Sequence, residues 1–290
     1  MTKVLIVGAG KMGGAIAKEL AAQDVPIKLW NRSEPKLDSL KSEIKSSSFS
    51  TSTNLIQAIA DADIVITLLT SGQSVEEVLL APGVLQACKP SAIIVDMSTS
   101  GVATASKLDK EISQIGLRFV DAPVSGSMAT IAAHQLLVMA SGNESAINEI
   151  TPTLMKFSKK VANLGPAGSG QVMKLAVNLI VHSLNAAIAE SLAIATTAGI
   201  SIDSAYDILE ESVVAAPFLK YKRPAFTTPG TPVAMRIDTV LKDMNLIQGL
   251  ATDLGIDLVA TPAVRTAYAE AVAQGLSDRD MASLLDSIKR

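Results

Sequence analysis

The chain has 290 residues, 48% of them hydrophobic, and a formal net charge of −3. That length makes two domains the expectation, and the slight acidity excludes an electrostatic footprint for nucleic acid or an anionic membrane. The single cysteine, Cys88, excludes an internal disulfide and a cysteine metal cluster and suits a reducing, cytoplasmic setting.

Met1-Thr2-Lys3 runs straight into Val4-Leu5-Ile6-Val7, a stretch too short for a signal-peptide core and closed at once by glycines. Short β-branched runs predict strands at Val4–Val7, Ile27–Trp30, Ile64–Leu68, Ala92–Asp96, Arg118–Val120, Leu136–Ala140 and Lys160–Ala162. Helical stretches lie between several of them, at Met12–Ala22, Thr53–Ala60, Ser74–Leu80, Val102–Ile115 and Ala146–Phe157. The alternation predicts an α/β, doubly wound Rossmann domain over residues 1–164, with a parallel sheet covered on both faces. The cluster Gly165-Pro166-Ala167-Gly168-Ser169-Gly170 then breaks the pattern. Beyond it only helical periodicity remains. The second half reads as an all-α domain, 165–290, entered by a long interdomain helix at about 170–199. Its apolar stretch from Val172 to Ile200 carries Lys174, Asn178, His182, Asn185 and Glu190. So many polar groups would be costly in a bilayer, so the stretch reads as a buried helix and no membrane partner is expected.

Gly8-Ala9-Gly10-Lys11-Met12-Gly13 fits the dinucleotide pattern G-x-G-x-x-G, and its place after a strand and before a helix matters more than the letters. Gly8 permits the tight turn, Gly10 lets a pyrophosphate approach the backbone, and Gly13 lets helix pack on strand. The N–H groups that open the helix then face the phosphates. The next strand ends in Asn31-Arg32-Ser33, where an NAD site usually places an acid. Arg32 can instead pair with a 2′-phosphate, with Asn31 and Ser33 as hydrogen-bond donors, so NADP(H) is favoured over NAD(H).

In a doubly wound sheet, ligands bind outside the carboxyl ends of the strands. Three such ends carry hydroxyls: Leu68-Leu69-Thr70-Ser71, Asp96-Met97-Ser98-Thr99-Ser100 and Asp121-Ala122-Pro123-Val124-Ser125-Gly126-Ser127. Leu69 and Thr70 are candidate cofactor contacts. Short hydroxyl side chains beside glycine can cradle a carboxylate, but Ser98 or Ser100 can equally cap the helix near Val102. Lys174 is the only cation between Lys160 and Lys220, and Asn178 lies four residues on, on the same helical face. A partly desolvated lysine near a helix N-terminus should have its charged form disfavoured, which tunes it for proton transfer. A lysine snorkelling at a helix end is the competing reading.

Taken in order, these residues resemble the β-hydroxyacid dehydrogenases, a family that includes 3-hydroxyisobutyrate dehydrogenases and glyoxylate/succinic semialdehyde reductases. The resemblance rests on Gly8–Gly13, Asp96-Met97-Ser98-Thr99, Asp121–Ser127, Gly168-Ser169-Gly170 with Lys174 and Asn178, and Lys242-Asp243. It implies that Lys174 is the catalytic lysine, exchanging a proton with the substrate oxygen as hydride passes to or from NADPH. It implies that Ser125, Gly126 and Ser127 hold the substrate carboxylate and that Asn178 holds the reacting end. Thr99 and Lys242 become cofactor contacts, and a homodimer or homotetramer acting on a small-molecule substrate is expected. Asn31-Arg32-Ser33 is similar to the NADPH-dependent semialdehyde-reductase branch.

The chain departs from the family at several positions. Thr70 stands where the family usually has proline, His134 and Ser141 where it usually has glycine, and Met235 where a phenylalanine commonly lines the pocket. A flexible thioether reshapes such a pocket. Arg236 reads as a surface arginine, with a second anion-binding group as the alternative. Two other functions compete with the dehydrogenase or reductase. An imine reductase has a similar fold but commonly puts aspartate or tyrosine at the position of Lys174, and an NADP(H)-binding sensor has no need of a proton donor. His134 and His182 lack metal-ligand spacing, so no metal is expected. Cys88 has no catalytic partner, Trp30 packs at the strand edge, and Glu76-Glu77 and Asp278-Arg279-Asp280 read as solvated helix faces.

Overall fold

The computed structural model describes residues 1–289, which form two compact units, Met1–Lys174 and a second that begins at Leu175. The first unit runs β1 (Val4–Val7), α1 (Lys11–Ala22), β2 (Ile27–Trp30), α2 (Glu34–Glu43), β3 (Phe49–Ser52), α3 (Leu55–Ile59), β4 (Ile64–Thr67) and α4 (Gly72–Leu79). It continues with β5 (Ile93–Asp96), α5 (Val102–Gln114), β6 (Arg118–Asp121), β7 (Val124–Ser125), α6 (Met128–Ala132), β8 (Leu136–Gly142), α7 (Glu144–Leu154) and β9 (Ser158–Asn163). The strands form one sheet in the order β3-β2-β1-β4-β5-β6-β8-β7, with β9 beside β8. β1 therefore lies between β2 and β4, the reversal of direction at which a doubly wound sheet opens its ligand crevice.

The central strands are continuous apolar runs because both faces are covered. Along β1, Val4 and Ile6 pack into one cluster while Leu5 and Val7 pack into the other, and all four are at most 1% exposed. Each such side chain contributes about 1.5–3 kcal/mol by leaving water. The sheet is not parallel throughout, as the alternation had suggested: β8 runs antiparallel to β6 and β7. β6, Ala122-Pro123 and β7 run on in one direction along β8, and the chain reverses only in residues 126–135, a connection holding the short α6 and too short for a parallel crossover. β3 and α2 also escape the pattern reading. β3 is the half-polar edge sequence Phe-Ser-Thr-Ser, and α2 buries only Leu37.

The second unit is helical. α8 (Ser169–Thr197) starts in the first unit and continues into the second, followed by α9 (Ile202–Glu211), α10 (Pro217–Thr227), α11 (Ile237–Asp253), α12 (Thr261–Ala273) and α13 (Leu284–Ile288). No strand of this unit occurs among the described residues; an isolated bridge pairs Arg236 with Asp280. The 29 residues of α8 span roughly 40 Å. The helix is long and apolar enough to cross a membrane by length and composition alone. It is not buried all round, as expected from its apolar run: only 39% of its most apolar window is buried, and Ile180 and Ile194 are exposed. The fold is thus a Rossmann-like α/β domain, one long helix and a helical C-terminal domain.

Candidate active site

The glycine loop follows directly from the strand ladder. The Gly8 N–H is held by Trp30 O at 2.9 Å, and Gly8 turns with φ +119, a conformation that disfavours any side chain. Gly10 caps α1 in an extended conformation; a Cβ built on it meets nothing within 4 Å. No side chain caps α1 there and no acid lies in its first turn. Open space over an uncapped helix start is what a pyrophosphate requires, so these residues fit a dinucleotide. Asn31 also has a place within the chain itself. Its Oδ1 accepts from Ala9 N at 3.3 Å and its Nδ2 donates to Ser33 O at 2.9 Å, so it ties the glycine loop to the end of β2. Arg32 and Ser33 remain exposed beside it.

The next part of the site is a row across the sheet. Register aligns Val7 with Thr67, Thr67 with Asp96, Asp96 with Asp121, and Asp121 with Ser141. Four polar side chains thus line up at the carboxyl ends of the strands, all fully buried. Thr67 donates to Asp96 Oδ1 at 2.6 Å, and Ser141 donates to Asp121 Oδ2 at 2.9 Å. Gln171, in the first turn of α8, closes the row. Its Nε2 donates to Asp121 Oδ1 at 2.7 Å and Ser98 O at 3.0 Å, and its Oε1 accepts from Ser100 N and Gly101 N at 3.1 Å. Its backbone N–H adds a bond to Asp121 Oδ2 at 3.1 Å. The amide therefore grips the chain on both sides of Thr99 while fixing the helix that carries Lys174 one turn later. Burial pushes the Asp121 carboxyl up to about 6; the hydrogen bonds from Gln171 and Ser141 resist the rise and neighbouring Asp96 adds to it. Burial also raises Asp96, against hydrogen bonds from Thr67 and Ser98.

This row corrects one expectation and explains a departure. Neither Ser98 nor Ser100 caps α5: Gly101 holds the cap position, and Gln171 satisfies the backbone N–H groups of Ser100 and Gly101. Ser98 Oγ instead accepts from Leu69 N at 2.9 Å. Ser141, where the resembled family usually has glycine, bonds Asp121 and also accepts from Gly170 N at 2.9 Å. His134, at the other such position, adopts a left-handed φ of +54 and pairs with Glu19 at 2.9 Å. Gln171 itself was missed. Its only sequence signal is a lone amide at the glycine-to-helix junction, three residues before Lys174.

Of the proposed carboxylate cradle, Ser125 is half-buried on β7 and Gly126 is exposed with φ +145. The Ser127 N–H is already engaged by Thr130 Oγ1 at 2.7 Å, as part of the start of α6. Thr70 is exposed, and its hydroxyl lies 3.5 Å from that of Ser74.

The second unit holds its own buried polar cluster. Asn178 Nδ2 donates to Asp243 Oδ2 at 2.7 Å, and Lys242 Nζ lies 2.9 Å from Asp243 Oδ1. His182 Nε2 stands 3.4 Å from Oδ2. Burial would raise the Asp243 carboxyl, but His182 and Lys242 overcome that and hold it at about 2. Met235 is half-buried, with its N–H directed to Asp280 Oδ2 at 3.3 Å. Asp280 is not part of a solvated face: it is buried and paired with the equally buried Lys222 at 2.6 Å. Arg236 is exposed and paired with Asp238 and Asp278. Burial pushes the Cys88 thiol up to about 11. Trp30, the last residue of β2, is buried, its Nε1 donating to Thr53 O at 3.0 Å. Among the described residues no cluster of His, Cys, Asp and Glu could hold a metal ion.

Residues 3–165 match the family model for the NAD binding domain of 6-phosphogluconate dehydrogenase. Residues 168–288 match the model for the NAD-binding of NADP-dependent 3-hydroxyisobutyrate dehydrogenase. Glyoxylate/succinic semialdehyde reductase 1 of Arabidopsis thaliana is 29% identical over 289 residues, covering 99% of this chain and 98% of the relative. The structure of 3-hydroxyisobutyrate dehydrogenase from Salmonella typhimurium superposes with a TM-score of 0.91 at 23% identity, covering 99% of each chain. That of Psf3 in complex with NADP+ and 2-OPP superposes with a TM-score of 0.89 at 22% identity, over 98% of this chain and 99% of that one. With both models and the glycine loop in agreement, the chain belongs to the β-hydroxyacid dehydrogenase family of NAD(P)-dependent oxidoreductases.

Proposed function

We propose that the chain is an NADP(H)-dependent oxidoreductase interconverting a small β-hydroxyacid and its aldehyde or keto acid, with Lys174 as general acid and base. The observation that carries this is the anchoring of α8 by Gln171, which fixes Lys174 one turn beyond a row of strand ends. Reduction of a carbonyl adds hydride at carbon and a proton at oxygen. When bound, the dihydronicotinamide supplies the hydride. Lys174 Nζ gives the proton to the developing alkoxide and, in the oxidative direction, takes it back. Ser125 and the Gly126 backbone bind the substrate carboxylate, and Ser127 joins them only if its bond to Thr130 opens. Asn178 holds the reacting end, and Met235 borders the substrate. Thr99, Leu69, Thr70 and Lys242 would contact the cofactor, and the Gly8–Gly13 loop with Lys11 and Met12 would hold its pyrophosphate. Exposed Arg32 and Ser33 support the phosphorylated cofactor.

The named activity of the Arabidopsis thaliana relative points to glyoxylate and succinic semialdehyde as first substrates. A panel of aldehyde acids, β-hydroxyacids and cyclic imines, followed by NADPH absorbance, tests the reading. Turnover of an aldehyde acid with NADPH is expected. Turnover of imines alone would replace the reading with an imine reductase, and binding without turnover would make the chain a sensor. The enzyme is further proposed to act in a cytoplasmic setting as a homodimer or homotetramer. Ile180 and Ile194 of α8, 65% and 74% exposed, support self-association, and a monomer in light scattering would contradict it.

A further inference from the structure

The polar cluster of the second unit contains a group that the proposed chemistry leaves unused. His182 is fully buried on α8, and neither ring nitrogen has a hydrogen-bond partner. Leaving a buried polar group unsatisfied costs about 1–3 kcal/mol, and an apolar side chain of similar size would avoid that cost. The ring is not remote from charge, however. Its Nε2 stands 3.4 Å from Asp243 Oδ2, the oxygen that already accepts from Asn178. Asn178 and His182 are four residues apart on α8 and therefore face the carboxylate together. From α11, Lys242 pairs with the other carboxylate oxygen.

We propose that His182 is a positioning residue whose Nε2–H braces the Asp243 carboxylate, and through it the Asn178 amide and the Lys242 ammonium. A carboxylate is free to turn about its Cβ–Cγ bond, a broad torsion with no sharp minimum of its own. A second donor on Oδ2 removes that freedom. An ionised carboxylate only accepts, so the atoms facing it must be donors: Asn178 turns Nδ2 inward, and His182 carries its proton on Nε2. The His182 contact needs to shorten by only about 0.4 Å to reach a regular N–H···O length. The consequence rests on the roles proposed above for Asn178 and Lys242: one braced carboxylate sets both the substrate contact and the cofactor contact.

Two measurements on the full chain test this. The protein has two histidines, and His134 is exposed and paired with Glu19, so His134→Gln leaves one imidazole to follow by NMR. His182 is expected to carry its proton on Nε2, with a signal that moves in Asp243→Asn; a proton on Nδ1 alone would overturn the proposal. In steady-state kinetics, folded His182→Leu should raise the KM for glyoxylate or succinic semialdehyde about tenfold with a smaller loss of kcat. His182→Gln, which returns an N–H at similar reach, should bring that KM to within about threefold of wild type. A folded His182→Leu enzyme with unchanged KM for the acid and for NADPH overturns the brace. Should that variant not fold, the tautomer decides. Should the wild type turn over none of the acids, the functional reading falls while the tautomer still tests the brace.

Discussion

Asp121 and Asp243 are buried alike, at 0% and 1% exposure, yet their carboxyls move in opposite directions. Asp121 is surrounded by neutral donors and a second carboxyl, so burial prevails and raises it to about 6. Asp243 has Lys242 and His182 beside it, and that company holds it at about 2. The two groups that α8 contributes to these clusters also differ. Every polar atom of the Gln171 amide is bonded, whereas both ring nitrogens of His182 lack partners. A fully bonded amide fixes its helix in place, whereas His182 needs a small closing movement to reach a regular hydrogen bond. Gln171 therefore suits anchoring the helix that carries Lys174, and the second cluster suits holding the groups proposed above to contact ligands.

The sharpest way to break this contrast is Gln171→Leu. Loss of the amide strands Asp121 Oδ1, Ser98 O and two backbone N–H groups, which should destabilise the protein by about 3 kcal/mol or more. Through misplacement of Lys174 it should also lower kcat by on the order of a hundredfold, as read from denaturant melts and NADPH turnover. Equal activity in the two proteins would leave the amide without a positioning role.

The opposite pKa directions predict opposite pH dependences. Asp121 is raised from its ordinary 3.8, so the folded state holds its proton more tightly than the unfolded chain. Its contribution is fullest below pH 3.8 and falls away as pH rises to about 6, by roughly 3 kcal/mol. Asp243 is lowered, so its contribution is present above 3.8 and is lost as pH falls through about 2. Urea melts across pH should show Asp121→Asn removing the first slope and Asp243→Asn the second. Identical pH profiles for the two variants would contradict the contrast.

Smaller effects follow at the edges of the site. Arg32→Asp should raise the KM for NADPH about tenfold, equivalent to about 1.4 kcal/mol, and narrow the gap to NADH. A variant that keeps its NADPH preference would remove Arg32 from cofactor selection. Ser141→Gly should cost about 1 kcal/mol in a thermal or urea melt, through the hydroxyl that joins Asp121 to Gly170.

Much of the fold was legible because the parallel strands are continuous apolar runs and the glycine loop sits between one of them and a helix. β3 and α2 were not, since each buries too little apolar surface to leave a period in the sequence. The antiparallel β8 escaped because pairing direction depends on the short connection at residues 126–135 between β7 and β8 rather than on the strand itself. Candidate site residues stood out where the residue type was unusual for its surroundings, as with Lys174 in an apolar helix. Gln171 and His182 did not, because their meaning comes from partners far along the chain: Asp121 is 50 residues from Gln171, and Asp243 lies on another helix. Asp280 was misread for the same reason, its partner Lys222 being on α10.

The central claim, that Lys174 transfers the proton, is tested most directly by kcat for aldehyde-acid reduction in Lys174→Met, with NADPH affinity measured separately by fluorescence. The account predicts a kcat lower by roughly a hundredfold to ten-thousandfold while NADPH binds as in the wild type. A Lys174→Met enzyme that reduces the acid at the wild-type rate would contradict it.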